Sequence, residues 1–482
     1  MFDVRPVAYV IGLLTACLGG AMLLPMALDL WVGNGHWAAF GQSAVITAAT
    51  GGLIALASAN GVGERLTIQQ TFLLTTGVWF ALPIFGALPF YLGATEARYV
   101  DAFFEAMSGL TTTGSTVFSD LDALPHGLKL WRGLLQWFGG IGIIVVAMVF
   151  LPELKIGGMQ IFRSEGFDTM GKILPRAREI AQSIAVIYVG LTLACGLAYL
   201  AGGMGRLDAL VHAMTTIATG GFANSDASFG DFPPMVEYTA SVFMVLAALP
   251  FVRYVQFLAG TARPLAQDTQ IRAFLLTGVA LVAVIAAWQL TAVTEDFEAA
   301  FRSSLFNVTS ILTGTGYASA DYTLWGSFAV SVFFFMGLIG GCAGSTACSI
   351  KVFRYQLLFA SIKAQIRRIH SPHGLFQPRY EGKPVSEDVL SSVMSFFVLF
   401  VVTLGLVAVA LGMTGLDFIT SLSGAATALG NIGPGLGPEI GPSGNFGALN
   451  DTAKWILAAA MIVGRLELLA VFAIFTPRFW RA

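Results

Sequence analysis

The sequence predicts an all-α integral membrane protein with four parallel span–half-helix–span repeats around a central pore, plus an N-terminal two-helix accessory domain. Three observations support this fold class. The 482 residues are 56% hydrophobic and only 11% charged, with a mean hydropathy of +0.76, well outside the range of soluble chains. Ten apolar runs are each long enough for a membrane span of about 20 residues. A short helix-and-turn motif also recurs four times along the chain.

The predicted spans set the topology. Basic residues concentrate in 151–180, 251–272 and 351–383, which the positive-inside rule makes cytoplasmic. Because the number of spans is even, both termini are expected on that side as well. The runs lie at 7–30, 37–59, 68–92, 133–151, 181–203, 238–260, 273–293, 327–360, 390–413 and 455–476.

The first two spans differ from the rest because no short motif separates them. We therefore interpret residues 1–60 as an accessory transmembrane hairpin, with the first segment retained as a span because it lacks a convincing cleavage site. The later spans pair into four pore repeats, at 68–151, 181–260, 273–360 with a broken second span, and 390–476.

In each repeat, a residue of a helix-capping type is followed thirteen positions later by a glycine. The pairs are Asp101 and Gly114, Asp208 and Gly221, Ser303 and Gly316, and Thr420 and Gly433. Each window predicts an N-cap, an apolar helix of about three turns that is too short to cross a membrane, and a polar turn. Such a helix points its partly negative C-terminal end at the turn, which favours a cation there.

The four turns carry no formal charge. A single such turn would indicate only a helix C-cap glycine, but fourfold recurrence favours backbone that lines a cavity at membrane depth. Glycine permits the backbone angles that direct carbonyls at a dehydrated ion, so the turns predict a filter for a monovalent cation rather than calcium. The filter candidates are Thr112, Thr113, Gly114, Thr219, Gly220, Gly221, Gly314, Thr315, Gly316, Asn431, Ile432 and Gly433.

The motifs around these turns resemble those of a known family. They read SGLTTTGSTVF, IATGGFANSD, ILTGTGYAS and ALGNIGPGLG in order, with FGGIGIIVVAMVFLPEL after the first turn and MIVGRLELLAVF near the end. Essentially the whole chain resembles the TrkH/TrkG-type potassium-uptake subunit of the Trk/Ktr/HKT superfamily, and the paired N-terminal spans disfavour the Ktr branch.

The resemblance implies a set of properties. Gly114, Gly221, Gly316 and Gly433 become the glycines of a potassium filter in a homodimeric, multi-pass protein of the cytoplasmic (inner) membrane. The implied partner is a cytosolic TrkA-type nucleotide-binding regulatory subunit, and no organic cofactor is expected. Because the fourth turn departs from a Thr-x-Gly pattern at Asn431 and Ile432, we predict a filter that is not fourfold symmetric, with its potassium-over-sodium selectivity left open.

A gate is predicted within the second span of the third repeat, GLIGGCAGSTACSIK at 337–351. Each glycine inside a helix costs about 1 kcal/mol relative to alanine, so this stretch should break the span. The resemblance implies an intramembrane gate loop under the filter; close helix packing through small residues is the alternative. The gate candidates in this stretch are Gly340, Gly341, Gly344, Ser345 and Thr346.

Arg465 is a further gate candidate, since it lies about ten residues from either end of a span. The resemblance places it in the pore below the filter, where a positive charge opposes cation passage. The alternative is an ion pair with Glu467, but positions two apart on a helix do not face each other.

Two further groups of residues have open interpretations. The basic segment 351–383 is read as a topology signal or contact with anionic membrane lipid, or as a docking site for the regulatory subunit; phosphate binding is disfavoured because the chain has no Walker-type loop. Cys17, Cys195, Cys342 and Cys348 lie in apolar or Gly-rich segments and are expected to be buried thiols.

Other function classes fit less well. A transporter with inverted repeats would place basic loops on alternate sides, whereas here every repeat begins from a basic side. The five histidines are scattered and predict no enzymatic centre, and the net charge of −2 indicates no nucleic-acid binding. The sequence does not separate a gated channel from a proton- or sodium-coupled potassium symporter.

Overall fold

The computed structural model describes residues 3–61, 66–147, 158–159, 177–466, 468–477 and 479–480, and these are almost entirely helical. Two short strands, β1 (Arg379–Tyr380) and β2 (Lys383–Pro384), pair antiparallel. The helices are α1 (Arg5–Ala21), α2 (Leu23–Val32), α3 (Trp37–Ser58), α4 (Ile68–Gly86), α5 (Leu88–Tyr91), α6 (Tyr99–Leu110), α7 (His126–Val145), α8 (Ala177–Ala201), α9 (Arg206–Ile217), α10 (Pro234–Ala247), α11 (Phe251–Leu258), α12 (Arg263–Gln267), α13 (Thr269–Ala292), α14 (Phe297–Leu312), α15 (Ser327–Gly337), α16 (Val352–His370), α17 (Glu387–Gly412), α18 (Phe418–Gly430), α19 (Asp451–Arg465) and α20 (Leu468–Ile474).

Six helical segments among the described residues are long and apolar enough to span a membrane, and two bent helix pairs raise this to eight. The pairs are α10 with α11, bent by 88°, and α19 with α20, bent by 109°. The other two predicted spans fall on α7, which carries Lys129 and Arg132, and on α15 and α16, between which the chain leaves the helix. The uninterrupted segments are Arg5–Val32, Trp37–Gly61, Ile68–Tyr91, Ala181–Ala201, Thr269–Ala292 and Glu387–Gly412.

The accessory hairpin forms by close packing of α1 on α3 through small residues. A Cβ atom added to Gly12 would lie 2.6 Å from Ala55 N, and one added to Gly19 would lie 2.6 Å from Ala48 N. Because real Cβ atoms do not approach backbone so closely, these positions require glycine. The hairpin is joined to the first repeat by the buried Asp29, whose carboxylate accepts a hydrogen bond of 2.7 Å from Gly127 N in α7.

The four half-helices predicted from the repeat are α6, α9, α14 and α18, with 12, 12, 16 and 13 residues. Their C-terminal parts lie inside the molecule: every residue of α6 from Ala102 to Leu110 is buried, whereas Phe297 and Phe418 at the starts of α14 and α18 are exposed. The spans instead expose apolar side chains, such as Leu56 (75%) in α3 and Leu276 (71%) in α13, to their surroundings. A short helix enclosed by lipid-facing spans is the arrangement expected of backbone that stops at membrane depth.

The predicted capping residues were wrong. Asp101, Asp208 and Thr420 each occupy the third helical position, after N-caps at Arg98, Gly205 and Asp417. The spacing of thirteen residues therefore identifies equivalent positions in the repeats, and it does not mark where each helix begins. Carboxylates at the third position still lie in the first turn, where they complement the partial positive charge of the helix N-terminus.

Ser303 is also not a cap, because α14 begins at Phe297, about one turn earlier than the other half-helices. Its N-cap is Asp296, whose side chain accepts from Glu298 N at 3.0 Å. The fourth half-helix is capped in the same way by Asp417, which accepts from Ile419 N at 3.0 Å. Side-chain caps therefore occur in the third and fourth repeats and not in the first two.

The cysteine prediction holds for three residues and fails for one. Cys195, Cys342 and Cys348 are buried free thiols, whereas Cys17 in α1 is exposed. A residue in an apolar span can be buried by protein or face lipid, and its apolar neighbours in sequence do not distinguish the two.

Candidate functional site

The four polar turns that follow the half-helices meet in a closed ring. Each turn touches the next one in chain order, and the fourth touches the first. A Cβ atom added to a filter glycine shows how close the next turn lies. On Gly114, Gly221 and Gly316 it would lie well under 3.0 Å from Gly220 O, Thr315 O and Gly433 N, respectively. On Gly433 it would lie 3.2 Å from Gly114 O. The structure thus brings the twelve predicted filter residues to one place.

The turns share a backbone conformation. The residue two positions before each filter glycine is left-handed, with φ of +52° at Thr112, +48° at Thr219, +74° at Gly314 and +49° at Asn431. Left-handed threonine is unusual and costs of order 1–2 kcal/mol, so the surrounding structure must impose it.

The filter glycines themselves are not all alike. Gly114, Gly221 and Gly316 also have positive φ, at +87°, +79° and +85°, whereas Gly433 does not. No described residue donates a hydrogen bond to the carbonyls of those three glycines, but Gly433 O accepts one from Ser115 Oγ at 2.7 Å. These three glycines are half-buried and line a cavity, so carbonyls without a donor there form a place for water or a cation.

A buried ion pair supports the first two turns from behind. Arg132 of α7 donates to Glu105 of α6 at 2.8 Å, and both side chains are at most 1% exposed. Glu105 also accepts from Val117 N at 3.0 Å, just after the first turn, and Arg132 donates to Ala223 O at 2.6 Å, just after the second. One ion pair therefore fixes two neighbouring turns.

Gln136, one helical turn further along α7, contacts the second turn directly. Its side-chain amide donates to Gly220 O at 2.5 Å and accepts from Phe222 N at 3.0 Å. Neither Gln136 nor the pair of Glu105 and Arg132 was among the predicted site residues. The signal available in the sequence was a charged or amide side chain inside an apolar segment, the same signal that marked Arg465.

The third turn is held by hydroxyl groups. Tyr317, directly after Gly316, lies with its hydroxyl 2.5 Å from Thr215 Oγ1 in the second half-helix, and its carbonyl accepts from Ser310 Oγ at 2.7 Å. The fourth turn is held by Asn431, whose amide donates to Thr113 Oγ1 at 3.0 Å and to Met461 O at 2.9 Å. Every turn is thus tied to another repeat or to its own second span.

Outside the ring is a cavity of about 180 Å³ lined by all four filter glycines. Asp226 also lines it, and its carboxylate accepts from Asp120 N at 2.8 Å and from Leu121 N at 3.3 Å. Across the described part of the chain, no group of three or more His, Cys, Asp or Glu is placed to hold a metal ion. Apart from Asp226 and Arg132, the described residues that line the cavity are uncharged.

On the other side of the ring, helix α15 ends at Gly337 and α16 begins at Val352. The loop between them contains all five predicted gate residues of this segment. It packs against the break between α10 and α11: Cys342 N donates to Ala248 O at 3.1 Å and Phe251 N donates to Gly344 O at 2.9 Å. Two interrupted spans therefore satisfy each other's backbone groups, which a lipid environment would leave unpaired.

The loop also reaches the fourth repeat. Ser349 N donates to Gly430 O at 3.0 Å, and Ser349 Oγ donates to Gly337 O at 2.7 Å. Thr346 Oγ1 donates to Ala247 O at 3.0 Å on the opposite side. The loop thus lies across the molecule between the second and fourth repeats.

Arg465 ends α19 and lies against this loop, only 5% exposed. Its guanidinium donates to Cys348 Sγ at 2.7 Å and, more weakly, to Thr346 O and Gly139 O at 3.4 Å each. Its Nε has no hydrogen-bond partner among the described residues, and Glu467, the alternative ion-pair partner, lies outside them.

A second cavity, of about 40 Å³, lies where the fourth turn meets the loop. Asn431 lines it on the filter side, and Ser345, Cys348 and Arg465 line it below. The predicted filter and the predicted gate are therefore adjacent, with a positive charge at their junction.

The chain is similar along its whole length to known membrane transport proteins. A family model described as TrkH, cation transport protein, matches residues 36–481. The Trk system potassium uptake protein TrkI of Halomonas elongata is 42% identical over 478 residues, covering 99% of this chain and 97% of the relative. The Trk system potassium uptake protein TrkH of Escherichia coli K12 is 34% identical, with 99% of both chains covered. The crystal structure of the potassium transporter TrkH from Vibrio parahaemolyticus superposes with a TM-score of 0.91 at 33% identity, covering 100% of both chains.

Proposed function

The chain belongs to the TrkH family of cation transport proteins, and we propose that it takes up potassium across the cytoplasmic membrane through a gated filter lined by backbone carbonyls. It is a membrane transport protein and not an enzyme. The observation that carries the proposal is the closed ring of four turns, in which three glycine carbonyls have no donor among the described residues.

The chemistry of the ring favours a monovalent ion. A cation that enters the ring must lose hydration water, and carbonyl dipoles can replace it without adding a formal charge. A divalent ion normally takes carboxylate ligands, and those are absent from the four turns. Potassium is the ion named for the relatives TrkI and TrkH, and it fits an uncharged site that must bind weakly enough to release.

The gate in this proposal is the loop between α15 and α16 together with Arg465. The guanidinium lies beneath the ring with Cys348, Thr346 and Gly139 as its hydrogen-bond partners, none of which carries a formal negative charge. A positive charge with no carboxylate partner among the described residues raises the energy of a cation nearby. Conduction therefore requires the loop and Arg465 to move or the charge to be screened.

Helix α16 leads directly out of the gate loop and supports the proposed docking of a TrkA-type regulatory subunit. It carries Arg367 and Arg368 in its last turn, and its exposed apolar residues include Phe359 (65%) and Ile369 (70%). A basic surface with exposed apolar side chains is suited to a protein partner. A partner that moved α16 would pull on the gate. The homodimer, the four repeat boundaries and the cytoplasmic termini belong to the same proposal.

Ion flux through the purified protein in liposomes tests the proposal, with potassium and sodium gradients imposed separately and the pH varied. We expect potassium flux down its own gradient without a proton gradient. Flux that required a proton or sodium gradient would instead establish a coupled symporter. Equal flux of potassium and sodium would show a filter that passes monovalent cations without preferring potassium.

The gate is tested by Arg465→Ala, which removes the positive charge below the ring. We expect faster potassium flux, because a cation no longer meets this charge. Arg465→Lys is the matched control, since it keeps the charge while losing the planar guanidinium contacts to Cys348 and Gly139, and its flux should stay nearer the original. Unaltered flux in Arg465→Ala would count against the gate role.

A further inference from the structure

A third cavity lies between the accessory hairpin and the first repeat. It has a volume of about 330 Å³, and the described residues that line it are all apolar. They come from α1, α4, α6 and α7, and include Cys17, Trp79 and Phe138. A cavity of this size is at the lower end of the range of ligand pockets, and an apolar cavity of this kind stays dry unless an apolar group fills it.

The surroundings of the cavity are apolar as well. Leu14 lines it while remaining 40% exposed, and Cys17, also on its wall, is the exposed member of the four free cysteines. Helices α1 and α4 belong to the long apolar segments Arg5–Val32 and Ile68–Tyr91, which are candidate membrane spans. At this depth, the apolar groups available to fill the cavity are the hydrocarbon tails of lipids. The described lining residues offer a polar head group no hydrogen-bond partner, which favours the hydrocarbon tail.

The inner wall of the cavity is shared with the filter and with the gate arginine. Leu110 is the last residue of the first half-helix, and a Cβ atom added to Gly139 would collide with the Leu110 carbonyl. The carbonyl of Gly139 accepts from Arg465, and the Trp79 ring lies 5.8 Å from the Arg465 guanidinium. A group in the cavity would therefore press on two residues that hold Arg465 in place.

We propose that an acyl chain of a bilayer phospholipid occupies this cavity and strengthens the closed arrangement of Arg465 by packing Trp79 and Gly139 against it. The binding part of the proposal stands on the cavity alone. The effect on flux rests on the proposed function, and the two parts have separate readouts.

The binding test uses a variant that fills the cavity. Gly142 lines it, and a Cβ atom there would lie 3.7 Å from the Trp79 ring, an ordinary contact, so Gly142→Leu should place its side chain in the cavity without disturbing the backbone. The matched control is Gly20→Leu on α1, where a Cβ atom has no neighbour within 4 Å and the residue does not line the cavity.

The full-length protein is reconstituted with phosphatidylglycerol that carries a photoactivatable diazirine on one acyl chain, and cross-linked peptides are identified by mass spectrometry. We expect adducts on the lining residues of α1, α4 and α7 in the original protein and in Gly20→Leu, and loss of most of these adducts in Gly142→Leu. Adducts that persist in Gly142→Leu would overturn the site. A Cys17–Cys17 disulfide forming readily in membranes would also overturn it, because a second copy would then cover the cavity.

The flux test compares the same two variants. Because a leucine at position 142 acts as a permanent occupant, Gly142→Leu should lower potassium flux by about threefold, within the range of couplings carried by packed side chains. Gly20→Leu should conduct like the original protein. Equal flux in the two variants, with the adducts lost only in Gly142→Leu, would overturn the effect on Arg465. Absence of potassium flux in the original protein would sink the proposed function, while the cross-linking result would still decide whether the site exists.

Discussion

The first three filter turns and the fourth are built in different ways. Gly114, Gly221 and Gly316 have positive φ and lie so close to the next turn that a Cβ atom would collide with its backbone. Gly433 lacks the positive φ, and an added Cβ atom would lie 3.2 Å from Gly114 O. Its own carbonyl accepts from Ser115 Oγ, whereas the other three carbonyls have no donor among the described residues.

The difference shows that the positions of the four turns in the ring are held in two different ways. In the first three turns the backbone itself leaves room only for glycine, so steric exclusion adds to the side-chain contacts that hold them. In the fourth, the position is fixed by side chains, mainly by Asn431, which bridges to Thr113 and Met461 O. A site fixed by hydrogen bonds can adjust more easily than one fixed by steric contact, which favours the fourth turn as the adaptable part of the ring.

The largest expected effect comes from Gly221→Ala. The substitution forces alanine to a φ of +79° and drives its Cβ atom into Thr315 O of the next turn. Left-handed strain of about 1–2 kcal/mol and the displaced carbonyl together should reduce potassium flux by about a hundredfold or more. Flux in liposomes measures this, with circular dichroism to show that the helices remain. Flux near the original rate would mean that the ring is not the conduction path.

The ion pair behind the first two turns should give the next largest effect, this time on stability. Glu105→Gln leaves the buried Arg132 without its carboxylate, and breaking a buried pair in this way costs about 3–5 kcal/mol. We expect a clearly lower thermal unfolding temperature in detergent. The double variant Glu105→Gln with Arg132→Met should recover part of the loss, because no charge then remains unpaired. A double variant less stable than Glu105→Gln alone would contradict this account.

Changes at Asn431 test whether side chains set the fourth turn. Asn431→Gly keeps a residue that tolerates the φ of +49° but removes both hydrogen bonds, while Asn431→Ala removes the bonds and adds strain. Loss of two buried bonds, at about 1 kcal/mol each, should lower the potassium-to-sodium flux ratio by about tenfold in both variants. If only Asn431→Ala changes the ratio, backbone conformation and not hydrogen bonding controls the fourth turn.

The sequence predicts the parts of this site that depend on local backbone demands. Repeated glycines mark the turns, and the glycines at 337–344 mark the stretch where α15 gives way to the loop. The sequence does not predict contacts between distant segments. Glu105 contacts Arg132, and Asn431 contacts Thr113, only once the repeats have packed together, and a single sequence does not show which segments pack against each other.

The helix starts show a different kind of failure. Asp101 and Thr420 have capping side chains and recur at the right spacing, but the helices begin two residues before them. In the fourth half-helix a different capping residue sets the start, because Asp417 accepts from Ile419 N. The first half-helix begins after Arg98 with no side-chain cap, so a capping residue type at the repeat spacing does not by itself locate the start. The exposure of Cys17 is unpredictable for a related reason, since which face of an apolar helix meets lipid depends on its neighbours.

The smallest expected effect is that of Gly433→Ala, and it is the most direct test of the comparison. At this position no positive φ has to be maintained, and the added Cβ atom would need to move Gly114 O, at 3.2 Å, and Gly316 O, at 3.4 Å, by only a few tenths of an ångström. A shift of this kind costs about 1 kcal/mol, so potassium flux should fall by less than about tenfold and the ring should still close. Measured beside Gly221→Ala under the same gradient, the two alanine variants should differ by at least about tenfold. An equal loss in both would mean that the fourth turn is held as rigidly as the other three, and that its different φ and its bond from Ser115 do not make it the adaptable side of the filter.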